Sequence, residues 1–117
     1  MMESKEMTNE LKAKIEAWKK EHGELSELIV SWDVEGVEQS RSFIVHKPKP
    51  ASFDILMQGI MQKPTKAMKN FVISVLLHPS QEEFLSLAEK YPGVLMNLGN
   101  SILEEFGIKA DVVKKKL

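Results

Sequence analysis

Residues 25–46, "LSELIVSWDVEGVEQSRSFIVH", alternate apolar and polar side chains on both sides of one glycine. A period of two puts successive side chains on opposite faces of an extended chain. Leu28, Val30, Trp32 and Val34 thus share one face, and Ser31 and Asp33 share the other with Ile29. On the returning run Val37, Arg41, Phe43 and Val45 alternate against polar residues and Ile44. Gly36, inside "VEGV", stands where a tight turn wants it. The segment reads as a β-hairpin, and two strands alone are marginally stable in water. Something else in the chain must pack on it.

The flanking segments read as helices. Leu11, Ile15 and Trp18 recur at i, i+4, i+7 within 4–22, a thin apolar stripe on a charged rod closed by Gly23. Such a stripe suits a helix that lies across its own domain or docks on another chain. After the hairpin, "HKPKPAS" is a rigid joint, since each proline pushes the preceding lysine toward extended geometry. Phe53, Leu56, Met57, Ile60 and Met61 then follow a 3.6 period, with Ser52 as the expected N-cap. A second helix is expected over 64–77, starting at Pro64 and carrying Met68, Phe71, Val72, Val75 and Leu76. Its second half is apolar almost all round, so it is expected to be the most buried helix. Pro79 stops it, and Ser80 with Glu83 matches a capping box. Two more helices follow, one presenting Phe84, Leu87 and Ala88, the other Val94, Leu95, Leu98 and Ile102 up to Gly107.

The fold class expected is therefore α+β: an N-terminal helix (1–23), one antiparallel hairpin (24–47), and a cluster of about four short helices (51–107). Residues 108–117 form a frayed tail in this reading. A chain of 117 residues fits one domain, 1–117, able to bury a core without metal or disulfide staples.

Composition narrows the chemistry. No cysteine is present, which removes disulfides, thiolate metal sites and cysteine catalysis. The first 24 residues are charged throughout, and "FVISVLL" falls short of the roughly 18–20 residues of a membrane span, so a cytoplasmic protein without a membrane partner is expected. Net charge is −1, yet residues 24–38 hold five acids and no base, while 41–69 hold six bases against Asp54. In a hairpin with a helix beside it, those charges are expected mostly to answer each other. His22, His46 and His78 sit at element boundaries without a second histidine at ligand spacing, so surface or capping roles are expected. "DVEGVE" lacks the spaced ligands of a calcium loop, and no GxSxG, phosphate loop or HExxH is present. The expectation is no catalytic residue, no cofactor and no metal.

Candidate binding residues lie in the basic half. Lys47 and Lys49 are held outward at the joint. Lys63, Lys66 and Lys69 crowd the first turns of a helix, where the macrodipole disfavours cations, as on a surface made for an acidic partner. Met57 and Met61 could line an adaptable apolar groove, although core filling is the expected use of Met57, Met61, Met68 and Met96. Phe43 and Phe53 fall on core positions, so exposed aromatics for base stacking are missing.

The order of elements and the strings "LIVSWDVEGVEQSRSFIVHKP", the "KPxxxxF" joint and "KPTKAMKNFVISVLLHP" resemble small tail-assembly-chaperone-type proteins of tailed bacteriophages and prophages. The similarity runs from about residue 27 to 106 and is one of pattern; the charged N-terminal helix departs from it. The resemblance implies a non-enzymatic protein that binds a tape-measure or tail-tube protein. It carries over Lys47, Pro48 and Phe53, with Lys66 and Asn70 facing outward. On this expectation the tools are a groove lined by Met57, Met61 or Val72, a basic rim, and a hairpin edge able to add a strand. Homo-oligomer formation stays open. The rival readings are a nucleic-acid or regulatory module using 41–69 and a motif-less accessory subunit of an enzyme.

Overall fold

The hairpin forms as its alternation requires. A computed structural model describes residues 9–107 with 115 and 116. Strands β1 (Leu25–Val34) and β2 (Val37–His46) pair antiparallel from Leu25 opposite His46 to Val34 opposite Val37. The two-residue turn has positive φ at both positions, 51° at Glu35 and 83° at Gly36, the mirror-image turn whose twist matches paired strands. Around the sheet stand α1 (Asn9–His22), α2 (Pro50–Ile60), α3 (Pro64–Val75), α4 (Gln81–Lys90) and α5 (Pro92–Glu105). The mixed α+β architecture expected from periodicity is the one observed.

A third strand, β3 (Leu76–His78), pairs antiparallel with β2 and makes the order β1-β2-β3. Periodicity assigns these three residues to the end of a helix. A short apolar run satisfies either state, and here pairing with Ile44 and Val45 decides for strand. The peptide bond between His78 and Pro79 is cis. The burial ranking also differs from the expectation. Helix α5 buries five positions (Val94, Leu95, Leu98, Gly99, Ile102) to the four of α3, so α3 is not the most buried helix.

The core lies between one face of the sheet and α3, α4 and α5. Phe43, Val45, Val72, Val75, Phe84, Leu98 and Ile102 are fully buried there, and Leu28, Trp32 and Phe53 pack against them half-buried. The Phe43 and Phe84 rings meet edge to face at 6.3 Å and 89°. Arg41 donates to the Glu83 carboxylate at 3.0 Å and ties β2 to α4. Ser80 and Glu83 form the capping box of α4. Helix α2 starts three residues earlier than expected, with Lys49 as N-cap and Pro50 at N1, instead of a Ser52 cap.

The other face of the sheet carries Glu27, Ile29, Ser42, Ile44 and His46, since directly opposed residues point the same way. Ile44 is 3% exposed yet stands outside the core cluster. Its cover is α1. Leu11, Ile15, Trp18 and His22 are the half-buried residues of that helix, and the His22 ring stacks on His46 at 4.3 Å with the planes 4° apart. The narrow stripe thus lies across its own domain. Residues 4–8 of the expected helix and the 108–117 tail, apart from 115 and 116, lie outside the described residues.

Candidate functional site

Helices α2 and α3 are joined by the short segment 61–63 and pack side by side. Their approach is close because Gly59 faces Ala67: a Cβ at 59 would stand 3.1 Å from the Ala67 Cβ. Two small residues at the crossing leave a furrow on the solvent side. It comprises two adjoining depressions of about 200 Å³ and 150 Å³, which share Ile55, Ala67 and Asn70. Gln62, Lys63 and Lys66 frame one end, and Ser52 and Ser74 the other. Leu56 and Phe71 belong to the floor of the second depression.

The structure brings Lys63, Lys66 and Asn70 together on this furrow. The other expected binding residues stand elsewhere. Val72 is fully buried in the core and lines nothing. Met57 and Met61, 50% and 88% exposed, project from another side of α2, because a helix turns 100° per residue and Ile55 and Gly59 already occupy the furrow side. Among the four methionines assigned to core filling, Met68 alone is buried; Met57, Met61 and Met96 are exposed. Lys47 and Lys49 are exposed at the joint, and Lys69 is half-buried on α3 outside the furrow. Periodicity missed Ile55, 64% exposed, and the Gly59–Ala67 pair. Small residues on both helices were the available signal.

The charges of the two halves do not answer each other. Arg41 pairs with Glu83 of α4, not with the hairpin acids. Among the described residues, Lys63 and Lys66 have no carboxylate within ion-pair distance. The Arg41 hydrogen bond is the main reason the Glu83 carboxyl is held below its ordinary pKa; the Ser80 backbone adds to it and desolvation opposes it.

A separate depression of about 320 Å³ lies where β1 meets the start of α5, lined by Trp32, Asp33, Lys90, Tyr91 and Asn97 among others. The Trp32 and Tyr91 rings are tilted there at 5.6 Å. Histidine placement is a further surprise of the tertiary structure, because His22 stacks on His46 and His78 pairs with Ile44 on the next strand. Even so, among the described residues no group of three or more His, Asp or Glu side chains could hold a metal ion. No described helix is long and apolar enough to cross a membrane.

Burial lowers the His78 pKa, with Arg41 and Lys14 acting in the same direction and Glu83 and Glu27 against it. The unfolded chain then binds the proton more readily than the folded one. Below the ordinary histidine value stability should therefore fall as pH drops, until the depressed folded value is reached. His78→Gln should flatten that part of a urea-midpoint profile between pH 7 and 5. An unchanged slope would remove His78 as its cause.

The family model for a domain of unknown function, DUF6848, matches residues 18–115. The chain belongs to the DUF6848 family. Its matched span covers the hairpin and every helix from α2 onward, with the last turn of α1. No curated protein matches. A solved structure of an uncharacterised protein, rbstp2171 from Bacillus stearothermophilus, is similar at 27% identity and a TM-score of 0.66, over 86% of this chain and 99% of that one. The fold of this chain is thus shared with that protein.

Proposed function

We propose that this DUF6848 protein is a non-enzymatic binding protein that holds a segment of another protein, in the manner of a tail-assembly chaperone. The observation that carries the reading is the α2–α3 furrow, an apolar floor open to solvent with two unpaired lysines at one end. Exposed Ile55 beside Lys63 and Lys66 has no use inside the domain. Solvated apolar surface of this kind is where a partner gains most from burial. The phage resemblance supplies the partner class: a tape-measure or tail-tube protein.

Co-expression with the tape-measure and tail-tube proteins of its own genome tests this. A complex that survives size-exclusion chromatography, and that Ile55→Glu abolishes, is the expected result. Failure to associate with either protein overturns it. Binding to DNA that weakens steeply from low to moderate salt would replace it with a nucleic-acid module, since counterion release sets that dependence.

A further inference from the structure

The walls of the furrow restrict what can lie in it. The α2 and α3 backbones are paired within their own helices, so the furrow offers an occupant few backbone partners. Its polar groups are side chains: Ser52, Gln62 and Asn70, with Ser74 already donating to the Phe71 carbonyl at 2.6 Å. An extended segment laid there would leave its own N–H and C=O groups unpaired in apolar surroundings, at about 1–3 kcal/mol for each. A helix arrives with its backbone satisfied. The furrow from Ser52 to Gln62 is about 15 Å long by helical rise, the length of roughly ten residues of helix. Two adjoining depressions that share Ile55, Ala67 and Asn70 in their lining offer places for two apolar side chains on one face of such a helix, as neighbours at i and i+4 are.

Charge fixes the direction of the fit. Lys63 and Lys66 both stand at the α2–α3 corner, and the far end carries only the Ser52 and Ser74 hydroxyls. We infer that the furrow takes an amphipathic helix of a partner protein, with two apolar residues at i and i+4 in the depressions and acidic residues at the end that lies over Lys63 and Lys66. This rests on the reading of the chain as a binding protein and adds to it the chemistry of the bound segment. Helix-in-groove recognition uses the same anchors.

Three synthetic twelve-residue peptides test the inference by NMR titration into the full chain at low salt. One is helix-forming with Leu at i and i+4 and two Glu one turn beyond. The second replaces the Glu by Lys, and the third places Pro between the leucines. The Glu peptide is expected to shift the amide signals of Ala67 and Asn70 and to bind about tenfold or more tightly than either other peptide. Lys63→Glu with Lys66→Glu should reverse the preference toward the Lys peptide, which a loss of fold could not do. Ile55→Glu, at an exposed position, should abolish binding with an unchanged unfolding midpoint. Equal binding of the Glu and Lys peptides, or tightest binding of the Pro peptide, would overturn the acidic helix while leaving the docking face in place. Shifts confined to surfaces away from Ala67 and Asn70 would overturn the inference. The co-expression result with intact partners then decides separately whether the chain is a binding protein.

Discussion

Replacing Phe43 by alanine is expected to remove about 3–5 kcal/mol of stability, the range for deleting a fully buried aromatic side chain. Phe43 is 0% exposed within the core cluster, so the cavity left behind has packed neighbours on every side. Against the roughly 5–15 kcal/mol that holds a domain of this size folded, that is a large fraction. A melting temperature lower by on the order of 15–25 °C follows for about 100 residues. The edge-to-face contact with Phe84 makes the two positions interdependent. Phe84→Ala should cost a similar amount, and the double variant less than the sum by about 0.5–1.5 kcal/mol. Denaturant unfolding of the three variants measures this. Full additivity would mean that the rings contribute through area alone.

Alanine at position 99 should also destabilise, although alanine favours a helix over glycine by about 1 kcal/mol. A Cβ there would meet Met68 Sδ at 2.3 Å and Cγ at 2.9 Å. Met68 is itself only 4% exposed, so its flexible side chain has little room to retreat. Overpacking of this kind costs typically about 1–3 kcal/mol, which outweighs the propensity gain. The α3–α5 crossing is therefore as close as it is because residue 99 has no side chain. Two comparisons make the test specific. Gly93→Ala, where nothing lies within 4 Å of the added atom, should be neutral or stabilising by up to about 1 kcal/mol. Shortening Met68 to alanine in the Gly99→Ala background should cost less than the same change in the parent chain, because the clash disappears with it. Equal costs in both backgrounds would rule out the Met68 contact as the cause.

Both sites also show which parts of the fold are legible in the chain. Phe43 is assigned to the core by alternation alone, since a strand has only two faces and one must be covered. The same logic recovers the hairpin, the Gly36 turn and the Ser80–Glu83 cap, all determined by neighbours in sequence. Gly99 gives no such signal, because its role depends on a methionine thirty-one positions away. Leu76–His78 were equally undecidable locally: three residues fit a helix end or a strand until Ile44 and Val45 offer hydrogen-bond partners.

The candidate site divides along the same line. Lys63 and Lys66 stand out by their place in the first turns of α3, Asn70 only through the phage resemblance, and the three meet on the furrow while Lys69 does not. Periodicity gives no sign of Ile55, Gly59 and Ala67, and Met57, Met61 and Val72 do not line the groove expected of them. Which side of an amphipathic helix is left uncovered depends on what packs against the other sides. Met57 and Met61 are only one or two positions from core residues, and about 100° of rotation separates a buried side chain from an exposed one.

By itself the sequence determined the α+β class, the hairpin with its turn, the start of α3 at Pro64, the Ser80–Glu83 cap of α4, and the absence of thiol chemistry. These depend on periodicity, backbone restriction and composition, which act over a few residues or over none. Tertiary structure alone decided that α1 lies on the outer face of the sheet, that β3 is a strand, and that the acids of the hairpin and the lysines of α3 stay apart. It also decided that two small residues on neighbouring helices open a furrow beside Lys63 and Lys66. Those outcomes depend on distances between residues far apart in the chain, and only packing into a common core sets them.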